Sequence, residues 1–166
     1  NVSQAWKILL NTAYAHIDGI GRATLTNARP CFYGHSSWTT NDTIMYSNKD
    51  LLKAWELLLK AGKQRNDTYL FDITNVGRQV MGNYFAVLRD DFTKAYNEKN
   101  VAAMQEKGAP MLGLMNDMDT LLATNKSCLL GTWIADARAL GTTGKEKQYY
   151  ESDAKRIITT WDEKGR

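Results

Sequence analysis

Apolar positions recur at three- and four-residue spacing along most of this chain, and no stretch shows the alternation that marks a half-buried strand. In SQAWKILLNTAYAH, Ser3 stands where an N-cap belongs. Trp6, Leu9, Leu10, Ala13 and Tyr14 then follow on one face, which predicts a helix ending near His16. Asn48 opens NKDLLKAWELLLKAG, with Asp50 in the dipole-favoured first turn, Gly62 as the stop, and Leu51, Leu52, Trp55, Leu58 and Leu59 as the apolar face. After a short polar turn, the run from Asn66 to Lys99 places Leu70, Ile73, Gly77, Val80, Tyr84, Val87 and Leu88 together, a helix of about eight turns. Gly77 and Gly82 each cost it about 1 kcal/mol relative to Ala, so a close neighbour is expected there.

Asn100 opens the next helix, whose face is rich in methionine: Met104, Met111, Leu114, Met115, Met118, Leu121 and Leu122 are expected to be core. Gly108 and Pro110 fall inside it, and proline removes a backbone donor, so a kink or a break is expected. In SCLLGTWIADARALG a helical period begins at Trp133, beside Gly131. In KEKQYYESDAKRIITTW the face is Tyr149, Tyr150, Ala154, Ile157, Ile158 and Trp161. Ile17 to Ser47 holds Gly19, Gly21, Pro30 and Gly34 with no period, yet it carries Phe32, Tyr33, Trp38 and Tyr46, too aromatic for a linker. The predicted fold is all-α: one domain over residues 1–166, an irregular, mostly antiparallel bundle of about six helices with one long aromatic loop region.

With 166 residues, 43% hydrophobic and 23% charged, the chain can bury a core and is not of disordered composition. The net charge is +3 with no block of like charges, so no nucleic-acid partner is indicated. No run approaches the roughly 20 apolar residues of a membrane helix, so no membrane span is expected. The chain starts at Asn1-Val2-Ser3-Gln4 without Met and ends at Gly165-Arg166, the pattern of an excised piece. Cys31 and Cys128 have no metal-like spacing; two free buried thiols and a bridged pair are both compatible with the sequence, the free thiols being the ordinary case. Of the four Asn-x-Ser/Thr sites, Asn66 and Asn125 have a local explanation as turn and cap residues.

The chemistry of the chain is sparse. His16 and His35 lack any His-Glu-x-x-His or paired-Cys context, so no metal site is expected and no cofactor is called for. No Gly-x-Ser-x-Gly turn, P-loop or dinucleotide fingerprint occurs. Asp72 on an apolar face, and Asp136 with Arg138 after Trp133, stand out among the acids, with buried ion pairing the ordinary explanation. The aromatic side chains of the irregular segment and Trp133 are types that line concave ligand sites as well as cores.

Five blocks, AWKILLNTAY, NDTIMYSNKDLLKAWELLL, YLFDITNVGRQV, LLGTWIADAR and YYESDAKRIITTWDEKG, together resemble in order and spacing the C-terminal helical domain of α-N-acetylglucosaminidases, glycoside hydrolase family 89. The likeness runs from about Ala5 to Gly165. It implies a piece of a retaining exo-glycosidase that removes terminal α-linked N-acetylglucosamine from glycans, lysosomal in animals and secreted or periplasmic in bacteria. A retaining mechanism needs two carboxyls about 5 Å apart. The resemblance puts both, as glutamates, on a preceding (β/α) barrel domain, so none of the six glutamates here inherits a catalytic role.

By the same resemblance this chain forms one wall of the cleft. Trp133 matches a sugar-facing tryptophan, Tyr46 and Arg29 match further substrate-binding positions, and Gly131 lets the turn lie close under the cleft. The family domain continues past TTWDEKG, which implies an exposed apolar face here. A non-catalytic helical interaction module and a ligand-sensing module are the competing functions.

Overall fold

The computed structural model describes residues 1–15, 44–62 and 66–159, and among these the regular elements are all helical. They are α1 (Val2–Asn11), α2 (Asn48–Ala61), α3 (Asp67–Asn97), α4 (Val101–Ala123), a single 3₁₀ turn (Lys126–Cys128), α5 (Leu130–Ala139) and α6 (Gly144–Thr159). The all-α reading from apolar spacing is the fold observed. Of the aromatic loop region, Ile17 to Thr43 lies outside the described residues. The helices group into two compact units, Asn1–Leu122 and Ala123–Arg166.

In the first unit, α1, α2 and the first half of α3 share one seam: Ala5 and Leu9, then Leu51, Ala54 and Leu58, then Tyr69, Val76 and Val80. The two alanines are completely buried, the mark of helices whose backbones approach closely. The buried stripe is narrower than the apolar one in the sequence. Leu10, Tyr14, Leu52, Leu59, Leu70, Tyr84 and Val87, all expected inside, are exposed. A helix of this size buries only the residues within reach of its neighbour, and the small residues set that line.

The helix ends follow local chemistry. Helix α1 begins at Val2, two residues earlier than a Ser3 cap would allow, and stops at Asn11, where the Thr12 hydroxyl donates to Ile8 O at 2.7 Å. Ser47, not Asn48, caps α2, accepting from Asp50 N at 3.3 Å. Gly62 closes α2 with a left-handed φ of 47°. Asn66 caps α3, its Oδ1 accepting from Tyr69 N at 2.7 Å and Thr68 Oγ1 at 2.9 Å. Tyr69 then reaches back to the end of α2, its hydroxyl donating to Leu58 O and accepting from Gly62 N at 3.1 Å.

Helices α3 and α4 turn through Glu98, Lys99 and Asn100. Lys99 takes the left-handed conformation with φ 53°, Lys99 N donates to Tyr96 O and Asn100 N to Ala95 O, both at 3.0 Å, and Ala103 N donates to Asn100 Oδ1 at 3.0 Å. This is a Schellman stop joined directly to an N-cap. A Cβ at Gly77 would sit 2.9 Å from Leu121 of α4, and one at Gly108 would sit 3.5 Å from Phe92 of α3, so the pair runs antiparallel.

Of the kink or break expected at Pro110, the break does not occur: α4 is continuous from Val101 to Ala123. Pro110 and Glu106, whose carbonyl loses its helical donor, both face outward, where water can serve that carbonyl. The methionine stripe is core only in part, with Met118 buried and Met115 exposed.

In the second unit α5 and α6 form a hairpin. Its turn is tight: a Cβ at Gly141 would stand 2.5 Å from Lys147 N. Thr143 and Glu146 form a reciprocal cap on α6, Glu146 N donating to Thr143 Oγ1 at 3.2 Å while Glu146 Oε2 accepts from Thr143 N at 3.0 Å and from Thr142 N at 2.7 Å. Arg138 of α5 pairs with Glu151 of α6, which also takes Lys155. Leu129, Leu130, Leu140, Tyr149, Ile157 and Ile158 are exposed.

Candidate functional site

Tyr46 sits two residues before α2, half-buried against the core seam of the first unit. Its phenol oxygen accepts from Asn83 Nδ2 at 3.2 Å. Asn83, in the middle of α3, is 2% exposed and fully engaged: its second Nδ2 hydrogen bond goes to Asn48 Oδ1 at 3.1 Å, and its Oδ1 accepts from Gln79 Nε2 at 2.9 Å. Asn48 Nδ2 in turn donates to Val80 O at 3.1 Å. A buried amide with every partner in place is fixed in orientation, because a flip would oppose donor to donor.

The sequence reading missed Asn83, Asn48 and Gln79 as a group. A signal existed: Asn83 interrupts the apolar face of α3 beside Gly82, where two poor helix formers in succession ask for a tertiary reason.

Trp133 lies in the second unit, in the first turn of α5 where the period placed it, its N–H donating to Leu129 O at 3.4 Å. It is 40% exposed. Leu130, three residues earlier, is exposed on the same face, so α5 presents an apolar surface with an indole at its head. A Cβ at Gly131 would meet nothing within 4 Å, which leaves the backbone of this turn open to approach. Trp133 and Tyr46 thus belong to different units, and Arg29 lies outside the described residues.

The glutamates have other work. Glu56 and Glu98 are exposed, Glu106 pairs with Lys107, Glu146 caps α6 and Glu151 is held by Arg138 and Lys155. The Thr142 hydroxyl, followed by the Thr143 and Thr142 N–H groups, pushes the Glu146 carboxyl down to about 2. Such an acid is a poor proton donor near neutrality. Glu163 lies outside the described residues.

Burial pushes the Asp72 carboxyl up, and it has no ion-pair partner among the described residues. Arg138 pairs with Glu151 and not with Asp136, which is exposed. The ion pairing expected for these two acids is therefore absent among the described residues: Asp72 is only half-buried, and the hairpin brings Glu151 to Arg138 first. Cys128 is a free thiol, half-buried, and Cys31 lies outside the described residues. Among the described residues no cluster of His, Cys, Asp and Glu could hold a metal, and no helix is long and apolar enough to cross a membrane.

A family model described as the Alpha-N-acetylglucosaminidase (NAGLU) C-terminal domain matches residues 1–166. The chain belongs to this family. Among the relatives of this C-terminal domain is human Alpha-N-acetylglucosaminidase, 26% identical over 164 residues, a match covering 97% of this chain and 22% of the human one. The domain also superposes with a TM-score of 0.88 on a family 89 glycoside hydrolase from Clostridium perfringens in complex with PUGNAc, at 26% identity over 99% of this chain and 20% of that one. A second structure from Clostridium perfringens, with two glutamates replaced by glutamine and in complex with its substrate GlcNAc-alpha-1,4-galactose, gives a TM-score of 0.88 at 27% identity, covering 99% of this chain and 19% of that one. The chain thus spans about a fifth of the length of the relatives it matches.

Proposed function

We propose that this domain is one wall of the cleft of an exo-acting retaining glycosidase that hydrolyses terminal α-linked N-acetylglucosamine from glycans. The observation that carries the proposal is the end-to-end match with the C-terminal domain family, joined to a superposition on a family 89 hydrolase whose named substrate is GlcNAc-alpha-1,4-galactose. The catalytic pair, two glutamates about 5 Å apart, belongs on a preceding barrel domain. The structural duties of Glu106, Glu146 and Glu151 support that division of labour.

In this proposal Trp133 offers its flat apolar face to the pyranose or its acetamido methyl, the contact for which a partly exposed indole on a rigid helix is suited. Tyr46 and Arg29 are the further substrate-binding residues of this reading. The parent protein is secreted or periplasmic if bacterial and lysosomal if animal.

The test is hydrolysis of a chromogenic α-N-acetylglucosaminide. The full-length parent cleaves it, the isolated chain does not, and Trp133→Ala in the parent raises KM. Turnover by the isolated chain overturns the assignment of the acids to another domain. Unchanged kinetics in the Trp133 variant, together with loss of binding to another protein, establishes an interaction module instead.

A further inference from the structure

Asn83 is costly for a helix to hold: a poor helix former, nearly inaccessible, in a seam otherwise built from Val76, Val80 and Tyr69. An apolar side chain of similar volume would fill the space without needing three partners. What the amide does that an apolar group cannot is point. Its Nδ2 reaches across from α3 to Tyr46 Oη, 37 residues earlier in the chain, while the same nitrogen also donates to Asn48 Oδ1 and the amide oxygen is locked by Gln79.

Asn48 is itself locked, through its Nδ2 to the Val80 carbonyl. The polar group therefore ties the first turn of α2 and the segment leading into it, Tyr46 included, to a rigid point on α3. The phenol ring also rests against the core seam, so its plane is set by packing and its oxygen by Asn83.

We propose that Asn83 is a positioning residue for sugar binding, acting through Tyr46 and touching no substrate itself. This rests on the assignment of Tyr46 to the sugar site made above. Preorganisation of this kind improves ground-state and transition-state binding alike, so its loss appears in KM with kcat unchanged.

The experiment is a double-mutant cycle in the full-length parent, with KM and kcat measured on a chromogenic α-N-acetylglucosaminide. Tyr46→Phe raises KM roughly 3- to 10-fold, the size of one neutral hydrogen bond. Asn83→Leu raises it by a similar factor, and the double variant matches either single one because both break the same contact. If that variant does not fold, Asn83→Ala removes the donor to Tyr46 without adding volume, and the same non-additivity is expected.

Tyr69→Phe, which loses a buried hydrogen bond at the far end of α2, controls for stability alone: it lowers the unfolding midpoint and leaves KM unchanged. Multiplying effects of Tyr46→Phe and Asn83→Leu, or a normal KM in the Asn83 variants beside a raised one in Tyr46→Phe, overturns the positioning role and leaves the site intact. A normal KM in Tyr46→Phe removes Tyr46 from the site, and the positioning role with it.

Discussion

The ring of Trp55 on α2 lies directly over the backbone of Gly77 on α3: a Cβ at position 77 would stand 2.6 Å from Cζ2 of the indole. The same imagined carbon would be 2.9 Å from Leu121 of α4, so a single missing side chain admits neighbours from two helices. The indole Nε1 is buried with no partner among the described residues, and the ring is held there by packing. Gly77→Ala gains about 1 kcal/mol of helix propensity and loses more to overpacking, roughly 1–3 kcal/mol, because neither ring nor backbone can give way. A net drop in the chemical-denaturation midpoint is expected, and a rise would contradict the contact.

Tyr69→Phe removes both hydrogen bonds that its hydroxyl makes at the end of α2, to Leu58 O and from Gly62 N. The Leu58 carbonyl is buried with its residue, so the loss falls near the upper part of the range for an unsatisfied group, about 1–3 kcal/mol. Thermal unfolding of the variant tests this, together with faster amide exchange at Gly62.

Glu146 sets an acid limit on α6. Its carboxyl is pushed from an ordinary value of 4.5 down to about 2 by Thr142 and Thr143, so the folded form binds a proton less readily than the unfolded one. The contribution of this cap is complete above pH 4.5 and is lost as pH falls through about 2. The protection of amides in the first turn of α6, taken as the observed exchange rate relative to the intrinsic rate at each pH, should fall across that window. Glu146→Gln should flatten the response.

Trp133→Ala should separate activity from folding. The residue is 40% exposed, so truncation costs part of a buried tryptophan's stabilisation, about 1–3 kcal/mol, which the folded parent must tolerate for the kinetic loss to be read. Removal of an apolar wall worth about 1.5–3 kcal/mol predicts a loss of roughly 10- to 150-fold in kcat/KM of the full-length parent. Circular dichroism beside kinetics decides between the two losses.

How much of this was legible beforehand depends on the range of the interaction. Gly62 as a stop, Asn66 and Asn125 as caps and Trp133 at a helix opening are set by neighbours within four residues, and each is found where spacing placed it. Ala5 and Ala54 were invisible because a seam of close approach is made by what is absent from a side chain, and composition counts only what is present. The break at Pro110 fails to appear for the opposite reason: a break follows from an unserved carbonyl, and the outward position of that turn lets water serve it. The Asn83 group joins residues more than thirty positions apart, beyond any periodic signal.

The corner at Lys99 closes through hydrogen bonds that all fall between Ala95 and Ala103. Its geometry asks nothing of any residue that follows. The direction in which α4 departs is therefore set locally, and Leu121 comes to meet Gly77 by way of a corner that neither residue helps to make.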